Sequence, residues 1–273
     1  MRFGVYAPTS GEYDVPALTA LARDAEASGW DGFFVWDNLM ATFDGGNVLA
    51  DTTVALTAIA LATERVQFGA LVTALARRRP WKFAKECATL DRLSDGRLVA
   101  GVGLGGTWDF LPFGEELDER TRGDVLDESL EVVAALWSGD HIDHAGERFA
   151  LRGARLLPAP SRRIPVWVAG YWPGTRPFRR AARWDGVAPV RKGHAFKGLA
   201  PDELRACVEF VRRHREGDRP FDVVHFHAAG EESPAPVEEY ERAGATWWLD
   251  STFAPEESLA AFRERVRAGP PTV

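Results

Sequence analysis

Residues 66–106 constrain the fold of this chain more than any other stretch. They read VQFGALVTAL, then ARRRPWKFAKECATLDRLSDG, then RLVAGVGLGG. The outer pieces are apolar, rich in β-formers, and end in small residues. In the middle piece Phe83, Cys87, Leu90 and Leu93 recur at spacings of four and three, the repeat of one helix face. Ser94, Asp95 and Gly96 then stop the helix. The pattern predicts a strand, a crossover helix and a second, parallel strand. Both strands are apolar on both faces, as strands covered on two sides are. The Gly-rich end of the second leaves backbone bare, so a ligand can approach closely.

The same alternation runs along the whole chain. Strands are expected at Arg2–Ala7, 32–36, 164–169, 186–190, 221–228 and 246–249, besides the two already placed. Helices are expected between them: one opened by Asp14 or Pro16 and closed by Gly29, one capped by Asp51 or Thr52 and running through Ala62, and one at Glu119–Trp137. Others cover 174–183, 201–215, 236–243 and 255–268. Residues 139–163 break the rhythm. HIDHAGERFAL reads as a short hairpin and LLPAPSRR as an extended connection. Eight strands alternating with eight helical segments predict an α/β fold, a (β/α)8 TIM barrel. The whole chain, 1–273, is expected to be one domain, with a short excursion between strands four and five. A doubly wound open sheet is the alternative, disfavoured because no composition break marks a second domain.

In such a barrel the active site lies at the carboxyl ends of the strands. The positions to inspect are Ala7, Asp37, Asn38, Val72, Thr73, 103–107, 170–172, Pro189, Val190, His227 and Asp250. The formal net charge of −7 gives no electrostatic case for nucleic acid or an anionic membrane. No apolar run approaches the roughly 18 residues of a membrane span. The opening MRFGVYAP is already a strand pattern and not a signal peptide. Cys87 and Cys207 lie far apart in helix-like segments, as buried thiols of a cytoplasmic protein do.

Several motifs carry chemistry. Gly101, Gly103 and Gly106 satisfy G-x-G-x-x-G, but they begin inside a strand and lead into TWDFLPFGEE, which has no helical face. A dinucleotide fingerprint opens straight into a helix. Tight packing or close ligand approach therefore explains these glycines better. The loop AGYWPG at 169–174 precedes Arg176, Arg179 and Arg180. Backbone N–H groups at a helix start bind phosphate well, although a solvated basic face reads the same way. Arg77, Arg78 and Arg79 are either solvated or attract an anionic tail. His225 and His227 share one strand face and could hold a metal. No third histidine ends a strand, so no metal is expected, and His227 reads as a polar pocket group or proton donor. Asp37 and Asn38 could bind a ligand or move a proton. No G-x-S-x-G elbow and no P-loop is present.

FFVWDN, the central block ERVQFGALVTALARRRPWKFAKECATLDRLSDGRLVAGVGLG and RIPVWVAGYWPGTRPFRRAARWDGVAPV together resemble the bacterial luciferase-like flavin-dependent oxidoreductases. These are (β/α)8 barrels that use FMN or the deazaflavin F420. The resemblance implies a bulge at Leu71 and Val72, often with a cis peptide, backing the flavin ring, with Thr73 beside it. It implies that Gly170, Tyr171 and Trp172 hold the flavin phosphate. Gly103 and Thr107 would line the ring or ribityl side, and Ala7 ends the first strand at the same mouth. One position departs: many members carry histidine where this chain has Asn38, and asparagine is no general acid or base near neutral pH.

The expectation is therefore a flavin-dependent oxidoreductase or monooxygenase acting on a small organic substrate. Asp37, Asn38 and His227 are the candidate catalytic groups. A homodimer is implied by the resemblance, and a flavin reductase could supply reduced cofactor. The alternatives are a non-catalytic flavin-binding protein and a metal-dependent hydrolase using His225 and His227.

Overall fold

The computed structural model describes residues 1–39, 50–115, 118–193, 198–228, 235–252 and 257–271. β1 (Arg2–Ala7) leads into α1 (Val15–Ala27), where the Asp14 side chain accepts the Ala17 N–H and Pro16 sits in the first turn. β2 (Gly32–Val35) and α2 (Thr52–Ala62) follow, the latter capped by Asp51. The third barrel strand is split into β3 (Gln67–Ala70) and β4 (Thr73–Ala74). The Leu71–Val72 peptide between them is cis. Then come α3 (Pro80–Leu93), β5 (Ala100–Gly103) and α4 (Glu119–Trp137).

The excursion is a hairpin, β6 (Ile142–Ala145) and β7 (Ala150–Ala154). The alternation resumes with β8 (Val166–Trp172), α5 (Arg176–Ala181), β9 (Gly186–Arg191) and α6 (Pro201–His214). It ends with β10 (Asp222–Ala228), α7 (Val237–Ala243), β11 (Trp247–Ser251) and α8 (Leu259–Arg267).

The strands pair in the order β3-β2-β1-β11-β10-β9-β8-β5-β4, all in parallel. Because β3 and β4 are two halves of one strand, this order is a ring. Its seam is a bridge between Phe68 and Leu98. There the Val99 N–H donates to Phe68 O at 2.9 Å and the Phe68 N–H to Arg97 O at 3.1 Å. Glycine is required on both sides of the seam. A Cβ on Gly69 would lie 2.1 Å from Val99 O, and one on Gly101 2.1 Å from Ala70 O. The expected eight-stranded barrel is present.

Alternate residues of each strand point in and out. Phe34, Trp167 and Trp247 plug the interior, with ring centroids 5.2, 5.6 and 5.4 Å apart. Outward residues such as Val5, Phe33 and Val168 join the larger core beneath the helices. Among the boundaries that differ from the sequence expectation, two flank the 170–174 loop. β8 runs past Ala169 to Trp172, because Tyr171 and Trp172 keep pairing with Val190 and Arg191. α5 begins only at Arg176, after a cis Trp172–Pro173 bond.

Candidate active site

A cavity of about 320 Å³ opens at the carboxyl ends of the strands, a volume suited to a small-molecule site. Asp37, Asn38, Leu71, Val72, Gly103, Gly170 and Tyr171 line it. Its floor is the split third strand. A Cβ on Gly103 would stand 2.5 Å from Val72 Cγ2, so the two form a flat step that only glycine permits. The Tyr6 hydroxyl, buried beside it, donates to Leu71 O. Burial raises that phenol above its ordinary range.

Five of the expected site residues lie elsewhere, and strand phase explains four of them. Ala7 faces the helix layer with Val5, leaving Tyr6 to point inward. Thr73 turns away from the mouth into a small hollow it shares with Thr52 and Phe83. Trp172 packs on Phe178 and Phe210, at 5.2 and 6.1 Å between ring centroids. His227 stacks on Trp248 at 4.8 Å, and His225 lies 3.9 Å from Tyr240, so both leave the cavity to Phe226. Burial, then the neighbouring His227, pushes the His225 pKa down to about 3. Thr107 is exposed at the start of a 3-10 turn, and its neighbours Leu104, Gly105, Gly106 and Trp108 line the wall instead. Residues 40–49 lie outside the described residues. Among the described residues no group of three or more His, Cys, Asp or Glu is placed to hold a metal ion.

The first two arginines of the run are neither solvated nor open to a ligand, whereas Arg79 is exposed. Arg78 spans both Asp37 oxygens, at 2.9 and 3.0 Å. Arg77 donates to the Asp37 carbonyl at 2.7 Å and pairs with Asp109. The other carboxylate oxygen of Asp109 accepts the Leu39 N–H at 2.8 Å. The network ties the end of β2 to the 104–113 wall, with Arg77, Asp37 and Asp109 side chains at most 4% exposed. Asp37 therefore acts as an anchor for Asn38, which follows it into the cavity.

Two of the three arginines that follow the 169–174 loop are likewise spent, and Arg179 is exposed. Arg180 grips Asp127 through two bonds of 2.8 Å, while Arg176 pairs with Asp124 and Arg183 with Asp127. The buried cation of the cavity was missed in the sequence. Arg122, in the first turns of α4, lines the cavity and is 2% exposed. Its guanidinium lies over Phe110 at 5.0 Å, and its Nε and Nη1 are buried without a hydrogen-bond partner among the described residues. α4 packs there against α5, where Arg180 donates to Gly123 O at 2.9 Å. Arg122 thus stands at the same end of the cavity as Gly170 and Gly174. At this end Tyr171 is held above its ordinary pKa by burial first and by Glu119 second. A buried guanidinium lacking partners is suited to an anion, and phosphate matches its fork.

These features define an α/β barrel with one ligand mouth at its strand ends, floored by a flat step and supplied with a buried cation. The chain belongs to the luciferase-like monooxygenase family, whose model matches residues 1–268. It is 32% identical over 172 residues to an F420-dependent glucose-6-phosphate dehydrogenase of Rhodococcus erythropolis, covering 62% of this chain and 51% of that protein. The chain thus spans about half the length of the curated relatives of this type that it matches. Among solved structures, an F420-dependent secondary alcohol dehydrogenase in complex with an F420-acetone adduct superposes with a TM-score of 0.79 at 18% identity, over 97% of this chain and 98% of that one. The FMN complex of the oxygenating constituent of 3,6-diketocamphane monooxygenase from Pseudomonas putida gives 0.64 at 18% identity, covering 84% and 68%. These likenesses agree in fold.

Proposed function

We propose that this chain, one barrel domain over its length, is an oxidoreductase that binds the deazaflavin F420 and moves hydride to or from a small organic substrate. The observation that carries the reading is Arg122, a buried guanidinium without a hydrogen-bond partner among the described residues, at one end of a cavity whose floor is flat. The cavity chemistry fits a planar ring joined to a phosphate. Val72 and Gly103 would back the ring. Arg122, Gly170 and Gly174 would take the phosphate. The F420-dependent relatives tilt the choice of cofactor toward F420. When bound, the deazaflavin supplies two-electron hydride chemistry without activating oxygen.

The chain's own residues orient and exclude water. Arg78 fixes Asp37, and Asp37 sets the backbone from which Asn38 enters the cavity. Asn38 then offers an amide N–H to a substrate oxygen but cannot itself carry a proton. Tyr6 fixes the Leu71 carbonyl and so the floor.

FMN with monooxygenation is the second reading, favoured by the family match. Only that reading calls for a flavin reductase as partner. Titration of the protein with F420, FMN and phosphate-free riboflavin tests both. F420 binding with weak riboflavin binding is expected. Riboflavin binding as tightly as the phosphorylated cofactors would refute the Arg122 assignment, and binding without turnover over a broad substrate panel would leave a flavin carrier.

A homodimer is supported by the apolar outer face of α2, where Val54 and Leu61 are 56% and 69% exposed. A cytoplasmic location is supported by two buried free thiols. Among the described residues no helix is long and apolar enough to cross a membrane.

A further inference from the structure

The cavity has two chemically different ends. Arg122 and the 170–174 loop make the cationic end. Away from it, three aromatic side chains form a continuous wall. Tyr6 lies 5.3 Å from Phe226 and 6.3 Å from Trp36 between ring centroids. All three line the cavity although they are only 4%, 6% and 8% exposed. Each is inward-pointing at the carboxyl end of its strand, and the wall spans β10, β1 and β2. Its backing is fixed, since Tyr6 bonds Leu71 O and Thr52 Oγ1 holds the Trp36 carbonyl at 2.9 Å. The polar group at its edge is Asn38, and the carboxylate beside that, Asp37, is neutralised by Arg78.

We infer that this wall is the substrate subsite and that it selects an uncharged, apolar ring compound bearing one oxygen that meets the Asn38 amide. The inference rests on the F420 reading for the chemistry but not for the binding. Aromatic faces hold a carbocycle by dispersion and area burial. A sugar phosphate would have to strip water from several hydroxyls against these same faces with few partners, an unfavourable exchange. Its phosphate would also compete with that of the cofactor for Arg122. Lys192, the other cation lining the cavity, is exposed at the rim, where water already solvates it. The specificity is therefore expected to differ from that named for the glucose-6-phosphate dehydrogenase relatives, although the barrel is shared.

Ligand-observed NMR on the protein without cofactor tests the subsite directly, using cyclohexanone, cyclohexanecarboxylate and glucose 6-phosphate as probes. Cyclohexanone is expected to bind at least about tenfold more tightly than either anion. Phe226→Ala should weaken it about tenfold, the effect of losing one to two kcal/mol of ring burial. Trp36→Phe, which keeps an aromatic face, should retain most of the binding, and circular dichroism of each variant checks the fold. If Phe226→Ala does not fold, Phe226→Leu, which keeps volume but loses the ring, takes its place. Tighter binding of glucose 6-phosphate or the carboxylate would overturn the inference, as would cyclohexanone binding that ignores both Phe226 variants. Because no cofactor is present, a failure here is separable from a failure of the F420 reading, which the cofactor titration addresses.

Discussion

The two sides of the cavity mouth treat charge in opposite ways. On the side of β2, β4 and the 104–113 wall, four charged groups meet: Asp37, Arg77, Arg78 and Asp109. They pair with one another, and Arg78 also reaches Glu86 at 3.6 Å. From the side of α4, Arg122 reaches the same wall over Phe110 and is 2% exposed, yet has no such partner among the described residues. A paired network holds two loops in register. A lone buried cation contributes nothing to the fold until an anion arrives, since burying it costs free energy. The first side is scaffold and the second is receptor.

Breaking a scaffold pair gives the largest expected effect. Asp109→Ala leaves Arg77 buried with only part of its compensation and frees the Leu39 N–H. A loss of about 3 kcal/mol in urea unfolding is expected. A change below about 1 kcal/mol would mean that the network is not structural. Removing the receptor charge should do the reverse. Arg122→Gln is expected to leave unfolding stability unchanged or improved. In fluorescence titration it should weaken phosphorylated-cofactor binding about a hundredfold, near 2.7 kcal/mol. Destabilisation with unaltered cofactor affinity would erase the distinction between the two sides.

Asp250 sharpens the comparison because it lies between the two kinds. It pairs with Arg265, yet burial outweighs the pair and raises its carboxyl from 3.8 to about 6. The folded protein therefore holds this proton longer than the unfolded chain does. The associated stability is fully present below about 3.8 and is lost as the pH rises through about 6. Asp250→Asn stays neutral throughout. Between about pH 4 and pH 7 the wild type should lose on the order of 2 kcal/mol relative to the variant, at about 1.4 kcal/mol per unit and discounted for solvent near Arg265. Parallel pH–stability curves for the two proteins would contradict this. The smallest effect belongs to Arg183, half exposed and paired with Asp127 on the surface. Arg183→Ala is expected to stay within about 0.5 kcal/mol by thermal melting.

The barrel was readable because helices and strands announce themselves by period, and the caps at Asp14 and Asp51 by residue type. What the sequence concealed was phase. A strand buried on both faces carries no polar alternation to say which side is inward. Tyr6 and Ala7 are therefore equivalent by pattern, as are Phe226 and His227, and in both cases the aromatic residue is the one that lines the cavity. The fate of Arg77 and Arg78 was hidden for another reason: their partners lie 32 to 41 residues away in sequence. Arg122 is different, because a signal did exist. It falls on the same helix stripe as Leu126, Leu130 and Val133, all buried. A charge on a buried stripe marks a position held for something other than packing.

The split of the third strand has a consequence for how the barrel breathes. β3 leans on β2, β4 leans on β5, and the hydrogen bonds between Phe68, Arg97 and Val99 stitch the gap directly under the step formed by Val72 and Gly103. The thinnest join in the ring and the bed for the ligand are one place. Filling that bed should slow amide exchange at Phe68, Leu71 and Val99 more than anywhere else in the sheet, so that occupancy can be read from the closure of the cylinder itself.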